Sequence, residues 1–176
     1  MAEFWSNNDR GYRIRLWVDQ VGQDIQNNTS QVRLRLALLN TTTTFAQYQC
    51  SAYVEFNGQR LNWSGSPSVL SWYQTVQLID QTITVRHADD GSGVFSVRAH
   101  FNGSGGWSPV NLDIGNQQIT LTTIPRGSSV RVSDGFIGNQ VDISIDKKVG
   151  SATHTLRYSW YNKQGKIADN VGTSYK

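Results

Sequence analysis

Apolar and polar residues alternate along most of the chain, most clearly in two runs. In residues 12–18 the apolar side chains alternate with Arg13, Arg15 and Trp17, and residues 32–38 repeat the pattern. Successive side chains of a β-strand point to opposite faces of the sheet. Each run therefore predicts a strand with one buried and one exposed face.

Further strands are predicted wherever the alternation recurs between Gly, Asn, Ser and Asp clusters. Asn57-Gly58 predicts a tight hairpin turn, and residues 87–93 predict a β-hairpin that joins the strands on either side. Many short strands separated by turns are typical of an all-β protein, and we predict an antiparallel β-sandwich of jelly-roll type. The predicted strands of this sandwich are residues 11–20, 31–40, 47–56, 75–86, 93–102 and 116–123.

A change in composition predicts a domain boundary after residue 125. Lysine is absent from residues 1–125, whereas residues 126–176 contain five lysines and begin a new set of alternating strands at 141–146 and 153–160. About fifty residues with few strands do not close a sandwich alone. We interpret 1–125 as one β-sandwich domain and 126–176 as the truncated start of a second, or as a segment that a partner chain completes.

The charge distribution argues against nucleic-acid binding. The whole chain has a net charge of +3, but residues 1–125 hold eight arginines against nine carboxylates. Phosphate binding requires Lys and Arg clustered on one face, and the main domain has no such excess. We therefore predict no nucleic-acid partner.

Neither a metal site nor a targeting segment is predicted. Cys50 is the single cysteine, so no intrachain disulfide or cysteine-based zinc site can form, and its place in an alternating run predicts a small core residue. Asp89 and Asp90 lack the ligand spacing of a calcium loop and suit a turn. No metal or other cofactor is expected. The N-terminus lacks a signal peptide pattern, and no apolar run is long enough to cross a membrane.

Catalytic motifs are also missing, and we expect that the protein is not an enzyme. His87, His100 and His154 have no neighbouring nucleophile motif and are interpreted as structural or surface residues. Glycoside hydrolysis needs a pair of carboxylates across a cleft, and the chain has only two glutamates, Glu3 and Glu55.

Large aromatic residues in the predicted loops, which are rich in Gly, Ser and Asn, are the strongest functional signal. Indole and phenol rings offer flat apolar faces to sugar rings, and neighbouring amides bond sugar hydroxyls. The alternative is that these rings close the open ends of the sandwich. The predicted saccharide-binding residues are Trp63, Trp72, Tyr73, Trp107, Asn62 and Asn102.

Trp17 forms a separate case because it lies on the polar face of its strand. It shares that face with Arg13 and Arg15, and an outward aromatic between two arginines can stack on them, line a groove or meet another subunit. We predict that these three residues form a subunit contact.

Several segments resemble a known family. The opening Ala2-Glu3-Phe4-Trp5-Ser6, the segment from Cys50 to Val54 that leads to Asn57-Gly58, and the residues from His87 to Val97 look like the minor structural proteins of siphophages that infect streptococci. The later Thr153-His154-Thr155-Leu156-Arg157-Tyr158 is similar as well. That family includes receptor-binding (antireceptor) tail proteins.

The resemblance implies a role in host adhesion at the phage tail tip. It implies a jelly-roll, carbohydrate-binding-module-like first domain, a homotrimer, a host cell-wall polysaccharide as ligand, and other tail proteins as partners in the virion. Family members are usually longer, so the chain resembles an N-terminal fragment. The alternatives are a structural trimerisation or tail-docking domain without glycan binding and, as a second rival, a tail-associated glycan hydrolase.

Overall fold

The computed structural model describes residues 1–41, 49–67, 73–103, 111–132, 143–149, 158–162, 164–171 and 174–175. Side chains are described as far as residue 126 and again at residues 164–166. The regular secondary structure in these ranges consists of β-strands, which confirms the predicted all-β class.

Eight strands within residues 2–120 form two antiparallel sheets of four strands each. The first sheet has the order β1-β2-β3-β6, with β1 at Ala2–Trp5, β2 at Tyr12–Asp24, β3 at Thr29–Asn40 and β6 at Thr75–Arg86. The second sheet has the order β5-β4-β7-β8, with β4 at Cys50–Phe56, β5 at Gln59–Gly65, β7 at Val94–Gly103 and β8 at Asn111–Thr120.

The apolar faces of the two sheets share one core. Ile14 and Leu16 of β2 are completely buried together with Phe56 of β4 and Phe101 of β7. Each large apolar side chain buried in this way contributes about 1.5–3 kcal/mol. Cys50 is buried in the same cluster, as predicted. The alternation thus produces the β-sandwich that the sequence predicts.

Strand order follows a jelly-roll-like wrapping. β3 pairs with β6 and β4 pairs with β7, so each sheet joins strands that are distant in sequence, and the β4–β5 hairpin forms one edge of the second sheet. The chain therefore passes three times from one sheet to the other, between β3 and β4, between β5 and β6, and between β6 and β7. β1 and β6 are the edge strands of the first sheet, and β5 and β8 are those of the second.

The Asn57-Gly58 turn is confirmed. Asn57 has a φ of 48° and Gly58 a φ of 82°, and the turn places Phe56 opposite Gln59. Positive φ at both central residues is the geometry of a type I′ hairpin turn.

The hairpin predicted at residues 87–93 is wrong. β6 belongs to the first sheet and β7 to the second, so this segment crosses between the sheets. Its local chemistry is that of a turn, because the Asp90 carboxylate accepts a hydrogen bond from the Ser92 amide at 2.8 Å. Turn residues determine where the chain reverses direction, but they do not determine which strand pairs with the one that follows.

Two edge strands were not predicted, and a third begins earlier than predicted. β1 and β5 were not among the expected strands, and β8 begins at Asn111 rather than at residue 116. The turn-like dipeptide Gly115-Asn116 lies at the predicted start of this strand, but the β7–β8 register shifts beside it, between Val97 and Ala99. A β-bulge of this kind lets the strand continue through a turn-like dipeptide.

A buried polar network holds the crossing between β6 and β7. His87 is 3% exposed, and because a carbonyl can only accept, its Nδ1 donates to the Gly91 carbonyl at 2.9 Å. Its Nε2 is hydrogen-bonded to the Ser30 hydroxyl at 2.7 Å. Gln20 donates to the same hydroxyl oxygen at 2.9 Å. The network ties the crossing segment to β2 and β3.

The strands after residue 126 pair with one another. β9 (Gly127–Val132), β10 (Ile143–Val149) and β13 (Ser174–Tyr175) form a sheet of order β13-β10-β9, and β11 (Tyr158–Asn162) pairs with β12 (Gly165–Val171). β10 and β11 overlap the strands predicted at 141–146 and 153–160. The division into domains of residues 1–125 and 126–176 stays a prediction.

Candidate functional site

A row of aromatic and polar residues crosses the outer face of the second sheet. Tyr53 of β4 stands opposite Asn62 of β5 and His100 of β7, and His100 stands opposite Asp113 of β8. These residues alternate with core residues along their strands, so their side chains lie on the solvent face. The register therefore gathers residues from four strands, although they are up to about sixty positions apart in sequence.

A second row lies beside the first, nearer the start of β4. Ser51 stands opposite Ser64 and Asn102, and Asn102 stands opposite Asn111. Because residues two apart in a strand share a face, the two rows form one continuous polar surface.

The two rows enclose a depression of about 390 Å³. This volume lies within the usual range of small-ligand sites, about 300–1,000 Å³. On this outer face the lining combines the rings of Tyr53 and His100 with amides and hydroxyls, which suit a polar ligand with apolar faces. The lining residues are Ser51, Ala52, Tyr53, Asn62, Trp63, Ser64, His100 and Asn102.

Tyr53 is the central ring of this depression. Its ring stacks against the imidazole of His100, with centroids 5.8 Å apart and an interplanar angle of 29°. The guanidinium carbon of Arg60 lies 4.0 Å from the centre of the Tyr53 ring. Aromatic and cation–π contacts of this kind stabilise side-chain positions by about 0.5–1.5 kcal/mol each. The ring is thus held in place before any ligand binds.

An ion-paired carboxylate lies on the same outer face, beside Tyr53 along β4. Glu55 accepts from Arg98 at 2.8 Å and from Arg60 at 2.8 Å. The hydrogen bond from Arg98, followed by that from Arg60, holds the pKa of the Glu55 carboxyl below its usual value. The carboxylate stays ionised and neutralises part of the guanidinium charge.

His100 has a second partner at the other side of the row. Its Nδ1 lies 3.2 Å from the Asp113 Oδ1. The Asp113 backbone amide donates to the Asn7 side-chain oxygen at 2.8 Å. The Asn7 amide group in turn donates to the Asn111 carbonyl at 3.2 Å. Asn7 therefore covers the start of the β8 edge.

Three of the predicted saccharide-binding residues meet in the depression. Asn62, Trp63 and Asn102 line it together. Trp63 lies in β5 rather than in a loop, and its half-buried ring packs against the core, so the expectation of a loop tryptophan is wrong. A residue that faces inward on an edge strand closes the sandwich and can expose only part of its ring.

The remaining predicted residues lie elsewhere. Tyr73 is 69% exposed and is not among the residues that line the depression. Trp72 and Trp107 lie outside the described residues. A role for Trp72 and Trp107 in binding stays a prediction, and the site in the depression does not include Tyr73.

Sequence reasoning missed the two residues at the centre of the site. Tyr53 and His100 are more than forty positions apart in the sequence, and only the β4–β7 register makes them neighbours. The available signal was the alternation around Cys50, which places Ser51, Tyr53 and Glu55 on the outer face.

The outer face of the first sheet carries a different cluster. Arg13 and Arg15 lie over the ring of Trp5 at 5.0 and 4.8 Å, and Arg15 and Arg35 lie over the ring of Trp17 at 4.3 and 5.3 Å. We call these five residues the Arg–Trp ladder. It contains all three residues predicted to form a subunit contact.

Carboxylates pair with the arginines of the ladder. Arg35 forms an ion pair with Asp19 at 2.9 Å, and Arg15 pairs with Glu3. The hydrogen bond from Arg15 holds the pKa of Glu3 below its usual value. Positively and negatively charged side chains therefore surround the two indole rings on this face.

Comparison with known proteins assigns the chain to a family. A family model described as "Siphovirus protein of unknown function (DUF859)" matches residues 1–176. The chain belongs to this family. No curated protein matches it.

Membership of a siphovirus family makes the chain a phage protein, which supports the broader part of the predicted resemblance. Within the described residues, no three His, Cys, Asp or Glu side chains come together as a potential metal site. No helix in the same part of the chain is long and apolar enough to cross a membrane.

Proposed function

We propose that this siphovirus protein is a host-adhesion module of the phage tail that binds cell-wall polysaccharide of a streptococcal host. The binding site is the depression around Tyr53 and His100. The observation that carries the proposal is the convergence of two stacked rings with hydroxyl and amide side chains from three strands. Sugars present both C–H faces and hydroxyls, and this lining offers a partner to each.

The balance of charge fits a ligand that is recognised chiefly by stacking and hydrogen bonding. Glu55 neutralises part of the charge of Arg60 and Arg98, and the domain contains no lysine before residue 126. We expect weak binding at each site, about 4–8 kcal/mol or millimolar to micromolar affinity. Several copies on one tail, as in a homotrimer, then supply the avidity.

The arrangement of carboxylates favours binding over hydrolysis. A glycosidase needs one carboxyl group with a raised pKa to act as the acid. Glu55 has the opposite shift, and its oxygens are occupied by two guanidinium groups. The proposal is therefore a non-enzymatic module. Incubation with purified polysaccharide should leave the length of the chains unchanged.

Binding of the labelled full chain to streptococcal cells and to their extracted polysaccharide tests the proposal. Asn102→Ala removes an amide from the depression and should weaken binding severalfold. Asn116→Ala is the matched control, because Asn116 is exposed on β8 of the same sheet and does not line the depression. If both variants are folded and bind equally well, the depression is not the binding site.

A second candidate function is a trimerisation or tail-docking role for the Arg–Trp ladder. The supporting observation is the Trp17 ring between two guanidinium groups on an outward sheet face, since Trp and Arg are the residues most enriched at the centres of interfaces. Trp17→Ala should shift the sedimentation coefficient from trimer toward monomer. Val94→Ala is the control, because Val94 is an exposed apolar residue of the other sheet. An unchanged coefficient for Trp17→Ala would refute this role.

A further inference from the structure

A second depression continues the first toward the start of β4. It has a volume of about 370 Å³ and is lined by Gln49, Cys50, Ser51, Ser64 and Asn102. Ser51, Ser64 and Asn102 also line the first depression. Because the two depressions share these three residues, they form one groove.

The groove is longer than a single sugar ring requires. Tyr53 marks one end and Gln49 the other, and four residues of extended strand span roughly 13 Å at about 3.3 Å per residue. Both depressions are open to solvent rather than enclosed. Because the groove is open on its solvent side, a polymer can lie along it without inserting a free chain end.

The chemistry changes along the groove. The end at Tyr53 and His100 provides rings, whereas the shared centre provides the hydroxyls of Ser51 and Ser64 and the amide of Asn102. Hydroxyl and amide groups both donate and accept hydrogen bonds. They suit the hydroxyls that flank a linkage between two sugar units, while one unit stacks at the Tyr53 end and the next lies at the Gln49 end.

We infer that the groove binds an internal stretch of at least two linked sugar units and not a single terminal sugar. This inference rests on the proposed function of the same site and adds the mode of recognition. It means that affinity depends on the length of the oligosaccharide and does not require a free chain end.

The test measures the affinity of the full chain for fragments of the extracted polysaccharide, sorted by length after partial acid hydrolysis. We expect long fragments to bind at least about tenfold more tightly than single sugar units, which corresponds to about 1.4 kcal/mol. Reduction of the terminal sugar should leave the binding of long fragments unchanged. Equal affinity at all lengths, or loss of binding after reduction, would overturn the inference.

A pair of variants locates the length dependence. Gln49→Ala should lower the affinity for long fragments severalfold and leave the affinity for the shortest binding fragment unchanged. Gln81→Ala is the matched control, because Gln81 is exposed on β6 of the other sheet. If Gln49→Ala affects short and long fragments equally, or affects neither, the Gln49 end of the groove does not bind a further sugar unit.

The two proposals fail in different ways. If neither the intact polysaccharide nor any fragment binds, the proposed function is refuted and the inference falls with it. If binding occurs without length dependence, the proposed function stands and only the extended groove is refuted.

Discussion

Substitution of Gly93 tests whether His87 is held as the structure shows. A Cβ atom added at Gly93 would lie 2.5 Å from Cε1 and 2.6 Å from Nδ1 of the His87 ring, well inside the usual contact distance of about 3.5 Å. The ring cannot move aside without cost, because its two nitrogens bond to Ser30 and Gly91. Gly93→Ala therefore forces a choice between steric strain and broken hydrogen bonds.

The cost follows from those contacts. Overpacking of a dense core costs about 1–3 kcal/mol, and each hydrogen bond that is lost costs about 1 kcal/mol. We expect Gly93→Ala to lower the free energy of unfolding by about 2–4 kcal/mol. This is a large share of the roughly 5–15 kcal/mol that stabilises a typical domain.

Urea denaturation followed by tryptophan fluorescence measures this loss. Gly115→Ala is the matched control, because the nearest atom to its added Cβ is the Asp113 Oδ2 at 4.0 Å. We expect the control to change stability by less than about 1 kcal/mol. If the two variants are equally stable, His87 is not fixed between Ser30 and Gly91, and the reasoning fails.

Two further substitutions test polar contacts of the sandwich. Asn28 has a φ of 57° and donates to the carbonyls of His87 and Ala88. In the same denaturation assay, Asn28→Ala should lower the free energy of unfolding by about 1 kcal/mol more than Asn28→Gly, because only Ala is strained at this φ. Equal losses of stability in the two variants would contradict this. The pKa of Glu55 is lowered in the fold, chiefly by the hydrogen bond from Arg98. The ionised carboxylate therefore stabilises the protein above the unfolded pKa of about 4.3. This stabilisation is lost as the pH falls through the lower pKa of the folded state. Between about pH 5 and 3 the stability of the wild type should therefore fall more steeply than that of Glu55→Gln, and parallel curves would show that the ion pairs contribute nothing.

The central strands could be predicted because their alternation reflects a buried and an exposed face. β2, β3 and β7 carry the strongest patterns, and their inward residues form the core. β1 is short and β5 is rich in polar residues. Both edge strands are therefore recognised by their pairing with a neighbouring strand and not by a pattern of their own. The sheet in which a strand lies depends on long-range pairing. For that reason the local sequence predicts a hairpin at residues 87–93, where the chain crosses between the sheets.

The candidate site was predictable only in part for the same reason. The sequence places Asn62 and Asn102 near tryptophans, and both asparagines line the depression. Tyr53 and His100 become neighbours through the β4–β7 register, and a shift by one residue would turn either side chain to the other face. Alternation predicts which face a residue occupies but not which residue of another strand lies beside it.

The most direct test of the proposed site is the affinity of Tyr53→Ala for streptococcal cell-wall polysaccharide, measured by calorimetry with Tyr73→Ala as the matched control. Tyr53 lines the depression, whereas Tyr73 is exposed outside it. We predict that Tyr53→Ala binds at least about tenfold more weakly, a loss of about 1.4 kcal/mol, and that Tyr73→Ala binds like the wild type. Wild-type affinity in a folded Tyr53→Ala variant would contradict the account.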